Sequence, residues 1–113
     1  MARLNRLVAP GLAHHVVQRS IAGHDGFRGQ SDHMLFKAAL QRSSSEWRVA
    51  VHAYALLPQE FQLLVTPEGA SDLGRMMQAL SRFYVHAFNR RHGRAGALWQ
   101  GRYRAAPVGG SEA

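Results

Sequence analysis

Cysteine is absent from the chain, which excludes a disulfide scaffold, a thiolate zinc site and a thiol nucleophile, and is compatible with a reducing compartment. No apolar run approaches the ~20 residues of a membrane-spanning helix. The charged start, Met1-Ala2-Arg3-Leu4-Asn5-Arg6-Leu7, runs into Pro10 and Gly11 and not into the apolar centre of a signal peptide. The expectation is a soluble, cytoplasmic chain with no membrane partner. Acid is also scarce: 7 Asp and Glu stand against 14 Lys and Arg, a net charge of +7. Lys37 is the one lysine; the other thirteen basic residues are arginines. From Leu73 to Ser111 there is no acid, yet Arg75, Arg82, Arg90, Arg91, Arg94, Arg102 and Arg104 fall there. Guanidinium groups grip phosphate with a planar fork of donors, so this one-sided stretch points to nucleic acid. An anionic membrane surface fits less well, because the same stretch carries an apolar stripe suited to a core.

Core material is plentiful. Apolar residues make up 46% of 113 residues, enough for one domain burying roughly two-thirds of its unfolded surface. The β-branched density of His14 to Ile21 predicts a first strand, and the glycines from Gly23 to Gly29 a loop. Ser31 is the expected cap of a helix through about Ser43, stopped by Ser43-Ser44-Ser45, with Leu35, Ala38 and Ala39 facing inward and Phe36 and Leu40 as further inward candidates. Trp47 to Leu57 predicts a strand in which Val49, Val51, Ala53 and Ala55 alternate with Ala50, His52, Tyr54 and Leu56. Pro58-Gln59 is a turn, and Phe61, Leu63 and Val65 alternate with Gln62, Leu64 and Thr66 in a third strand. Ser71 is the expected cap of a long helix with Leu73, Met76, Met77, Leu80, Tyr84, Ala87 and Phe88 at helical spacing, ended by Gly93. Leu98 to Val108 predicts the last strand, and residues 109–113 a frayed, disordered tail. The order β-α-β-β-α-β implies one α+β domain over residues 1–108: a ferredoxin-like (RRM-like) sandwich with a four-stranded antiparallel sheet.

Several stretches together resemble the IS200/IS605-type single-tyrosine (Y1, HUH) transposases, especially the group associated with repetitive extragenic palindromes (REP). They are Arg3-Leu4-x-Arg6-Leu7-Val8-x-Pro10-Gly11, His14-His15-Val16-Val17-Gln18-Arg19, Val51-His52-Ala53-Tyr54-Ala55-Leu56-Leu57-Pro58 and Leu63-Leu64-Val65-Thr66-Pro67. Phe88-Asn89-Arg90-Arg91-His92-Gly93-Arg94 and Leu98-Trp99-Gln100-Gly101-Arg102-Tyr103 complete the match. The resemblance implies an RRM-like sheet, binding of hairpin-forming single-stranded DNA, and metal-assisted strand cleavage through a tyrosine phosphodiester.

Two departures bear on that activity. Where the family carries His-hydrophobic-His after Pro-Asn to hold a metal, this chain reads Pro58-Gln59-Glu60-Phe61-Gln62. Alternation puts Glu60 and Gln62 on one strand face. Their oxygens form either a weak Mg²⁺ or Mn²⁺ site, with His52 as a further donor across the hairpin, or a polar solvent-facing strand edge. The family's nucleophilic tyrosine lies on a further helix downstream of the Leu-Trp-x-Gly-Arg-Tyr segment, and Tyr54, Tyr84 and Tyr103 do not match it. The expected function is therefore a transposase-derived DNA-binding domain without cleavage, a candidate regulator with no cofactor. Arg75, Arg82, Arg90, Arg91, Arg94, Arg102 and Arg104 would hold phosphates, and Trp99 and Tyr103 would stack on bases. The alternative is a metal-dependent nuclease using Glu60 and Gln62 with a tyrosine from a partner. An open sheet edge also allows a homodimer or association with a full-length transposase.

Overall fold

The computed structural model describes residues 8–108. The elements run β1 (His14–Arg19), α1 (Gln30–Glu46), β2 (Val49–Leu57), β3 (Glu60–Pro67), α2 (Asp72–His92) and β4 (Arg104–Pro107). The strands form one antiparallel sheet in the order β2-β3-β1-β4. The fold is thus the α+β, ferredoxin-like arrangement expected from the sequence. The tail 109–113 and the arm containing Arg3 and Arg6 lie outside the described residues.

β3 sets the faces. Phe61, Leu63, Val65 and Pro67 are buried, while Glu60, Gln62, Leu64 and Thr66 lie on the other face, partly exposed. Register carries this division to β1, where His14, Val16 and Gln18 point inward and His15, Val17 and Arg19 outward. The buried face packs against Phe36 and Leu40 of α1 and Leu73, Met76, Leu80, Tyr84 and Phe88 of α2. The apolar stripe of α2 is what fixes that helix on the sheet.

Several boundaries differ from the sequence reading, each for a physical reason. α1 runs through Ser43-Ser44-Ser45 to Glu46, because Phe36, Ala39, Leu40 and Ser43 bury one continuous face that outweighs the poor helix propensity of serine. Ser31 does not cap this helix; the Asp32 carboxylate instead accepts the Arg28 N–H at 2.8 Å, and Ala38 faces solvent. Ser71 stands at the cap position of α2 without a side-chain cap bond, and Asp72 accepts the Gly69 N–H at 2.9 Å. Gly93 ends α2 in the left-handed conformation, as expected, with φ 62°.

β2 contains an irregularity between Val51 and Ala53. This extra residue reverses the alternation: Tyr54 and Leu56 pair with the inward Leu63 and Phe61, whereas Ala53 and Ala55 pair with Leu64 and Gln62. The last strand is also shorter than expected. Leu98 and Trp99 drop into the core instead of opening a regular strand, and the chain turns at Gly101 before β4 begins. The 98–100 segment is held by Ile21 N–H to Leu98 O at 2.9 Å and Gln100 N–H to Arg19 O at 2.7 Å.

Candidate nucleic-acid interface

The polar groups on the open sheet face satisfy one another. Arg19 Nε donates to Glu60 Oε1 at 3.2 Å, and the Gln62 amide donates to Glu60 Oε2 at 2.6 Å. His15 Nε2 lies 2.9 Å from Gln62 Oε1, which makes the ring nitrogen the donor. Glu60 and Gln62 share a face as the alternation required, but their oxygens are committed to neighbouring donors. His52 does not join them: its Nε2 pairs with Thr66 Oγ1 at 2.8 Å, while Ala55 and Leu57 stand opposite Gln62 and Glu60. The irregularity after Val51 causes that separation. Among the described residues no three His, Asp or Glu side chains converge as metal ligands. This donor set does not fit a divalent ion.

Arginine behaves differently on the flank formed by α2 and the 97–104 segment. Three adjoining clefts run there, of about 460, 610 and 450 Å³. The first lies between Ser81, Arg82, His86 and Asn89 of α2 and the Ala97–Trp99 segment. The second continues past Met77, Gln78 and Arg82 to Arg102 and Tyr103. The third turns onto the sheet beside Val17, Arg19, Arg102 and Arg104. Arg82 belongs to the first two, Arg102 to the last two and Gly101 to all three, so the clefts adjoin along one flank. No Asp or Glu lines any of them. Gln18, almost fully buried, underlies the groove and donates to Gln100 O at 3.3 Å and Gly101 O at 3.5 Å, tying the loop to β1.

The groove gathers part of the expected set and disperses the rest. Arg82, Arg102 and Arg104 come together, and Tyr103, half-buried against the core, lines the middle cleft with its hydroxyl 3.8 Å from where a Cβ on Gly74 would stand. Arg90 is exposed two helical turns beyond Arg82 on α2. Arg75 lies over the Trp47 ring at 5.3 Å. Arg91 pairs with the buried Asp32 at 3.6 Å. Arg94 donates to Asn89 Oδ1 at 2.7 Å and Ala97 O at 3.0 Å, bracing the turn after α2. Arg19 was missed by the sequence reading; its outward position in β1, beside the expected last strand, was the available signal.

The stacking role expected for Trp99 is corrected. Its side chain is 9% exposed and sits 5.1 Å from Phe61 and 6.0 Å from Tyr84, nearly parallel to the latter. It also closes on Gly26, where a Cβ would meet the indole at 2.9 Å. A ring so enclosed has no face for a base. Tyr84 is core, as its helical spacing suggested, with its hydroxyl donating to Gly26 O at 2.6 Å. Burial, and secondarily the charge of Asp32, raises its phenol far above the usual range, which disqualifies it as a nucleophile near neutral pH.

An α+β domain with an arginine-lined, acid-free groove beside an antiparallel sheet is the class defined by this geometry. Among solved structures, the chain superposes on a REP-associated tyrosine transposase bound to a REP hairpin, with TM-score 0.78 and 14% identity over 99% of this chain. It spans 65% of that protein's length. It also superposes on a Deinococcus radiodurans R1 protein assigned as a transposase, with TM-score 0.69 and 18% identity, covering 98% of this chain and 89% of the other. The chain therefore has the fold of the Y1 transposase-like group, in agreement with its motifs. No protein-family model and no curated protein matches it. No described helix is long and apolar enough to cross a membrane.

Proposed function

We propose that this chain is a nucleic-acid-binding domain of transposase fold that grips hairpin-forming single-stranded DNA and leaves it uncut. The observation that carries this reading is the row of adjoining clefts, with Arg82, Arg102, Arg104 and Arg19 along it and no acid in its walls. A basic track with an aromatic on its wall suits a phosphate backbone whose bases are free to stack. Two further points support it: a structure of the same fold is bound to a REP hairpin, and the groove bends from α2 over Gly101 onto the sheet. Such a path suits the unpaired part of a hairpin-forming strand, with the stiff stem left outside it. The uncut reading is supported by the hydrogen-bonded chain His15–Gln62–Glu60–Arg19, whose single carboxylate is already shared by two donors. Such a protein suits a regulatory role.

The test is a binding titration of the full chain against hairpin DNA, hairpin RNA and unstructured strands, with and without Mn²⁺. Preferential binding of hairpin DNA with intact product is expected. Equal retention of all three would remove the hairpin preference. A Mn²⁺-dependent nick carrying covalently attached protein would restore the nuclease reading.

A further inference from the structure

The third cleft differs from the other two in shape and chemistry. It is more enclosed than the clefts along α2, and half of its six lining residues are arginines. The others are Val17, Gln100 and Gly101, so no aromatic ring is present for a base to lie on. Arg104 and Arg19 both project from the outward sheet face, Arg104 opposite Val17 in the register and Arg19 two residues further along β1. Arg102 reaches the same space from the loop after Gly101. Of the three guanidinium groups, Arg19 alone pairs with an acid, Glu60, while Arg102 and Arg104 have no ion pair among the described residues.

From this we infer that the cleft is a receptor for a phosphomonoester, the phosphorylated end of a nucleic-acid strand. The inference deepens the groove reading and rests on it. Three cationic forks against one carboxylate leave a surplus of two charges, which a phosphomonoester dianion neutralises and a backbone diester monoanion does not. A terminal phosphate also presents three free oxygens, one to each guanidinium, where a diester presents two. The lack of a stacking surface means that the phosphate, and not the adjoining base, is the recognised element. A strand lying in the groove beside α2 would place its end here.

The experiment compares hairpin DNA bearing 5′-phosphate, 3′-phosphate or hydroxyl at both ends, using fluorescence anisotropy on the full chain. One end phosphate should tighten Kd at least about fivefold, the worth of one added charge-assisted contact. The variants Arg104→Gln and Arg19→Gln should weaken hydroxyl-ended binding too, but should bring the ratio of phosphate-ended to hydroxyl-ended affinity close to one. Arg82→Gln, outside this cleft, should weaken both and leave the ratio unchanged. Equal affinity for all three hairpins overturns the inference, although the groove reading survives it. A second arm follows the arginine Nε–H resonances during titration with a nucleoside 5′-monophosphate, its nucleoside and inorganic phosphate. Shifts at Arg19, Arg102 and Arg104 with the monophosphate sustain the cleft even if no hairpin binds. Equal response to inorganic phosphate assigns the site to free phosphate and overturns the strand-end reading.

Discussion

Gln62 donates its side-chain amide to Glu60 Oε2 at 2.6 Å, two residues along the same outward strand face. That bond orients the amide so that its oxygen accepts from His15, and it leaves Glu60 Oε1 to Arg19. Four side chains from β1 and β3 thus form one hydrogen-bonded chain across the strand face.

If donor type is what keeps metal from this face, changing two residues should admit it. The double variant Glu60→His with Gln62→His puts two imidazoles on the strand face beside His15, a set suited to Zn²⁺. Calorimetry should show micromolar Zn²⁺ binding by the variant and none at that strength by the natural chain. Equal binding by both would mean that the ligands lie elsewhere.

Trp99 supports the fold and not the ligand. Replacing it with alanine removes an indole packed on Phe61, Tyr84 and Phe27, and should cost about 3–5 kcal/mol by urea unfolding. Trp99→Phe should retain hairpin affinity within about twofold, since no base contact is lost. A variant that folds normally but no longer binds would contradict the buried placement.

Tyr84 provides a pH test. Its phenol is raised above the ordinary value of 10.0 in the folded chain, mainly by burial. The folded state therefore holds this proton more tightly than the unfolded state, so the phenol's contribution is complete below pH 10.0 and fades as pH rises above it. Absorbance at alkaline pH should show the Tyr84 titration coinciding with unfolding. Tyr84→Phe strands the Gly26 carbonyl and should cost about 1–2 kcal/mol. It should also flatten the alkaline loss of stability. A reversible titration of Tyr84 in the folded chain would contradict the buried hydrogen bond.

Periodicity made the fold legible. The alternation of β3 and the apolar stripe of α2 each repeat over several turns or pairs, so single errors do not displace them. The irregularity after Val51 was not legible, because one added residue in β2 leaves no compositional mark, yet it moves Tyr54 to the other face and His52 onto Thr66. Trp99 misled for a related reason. Its neighbours Arg102 and Arg104 are exposed, and local charge suggested a surface where long-range packing against Phe61 and Tyr84 decided otherwise. The arginines were visible as a set, but their partners were not: Asp32 and Trp47 are distant in sequence from Arg91 and Arg75.

The central claim concerns one groove, and counterion release measures it directly. Hairpin DNA affinity should be followed from 50 to 300 mM salt for the natural chain and for a variant combining Arg82→Gln, Arg102→Gln and Arg104→Gln. With about four guanidinium contacts, log affinity against log salt should fall with a slope near −3, and the triple variant should lose about three-quarters of it. A slope that is shallow in the natural chain, or unchanged by removing those three arginines, would contradict the assignment.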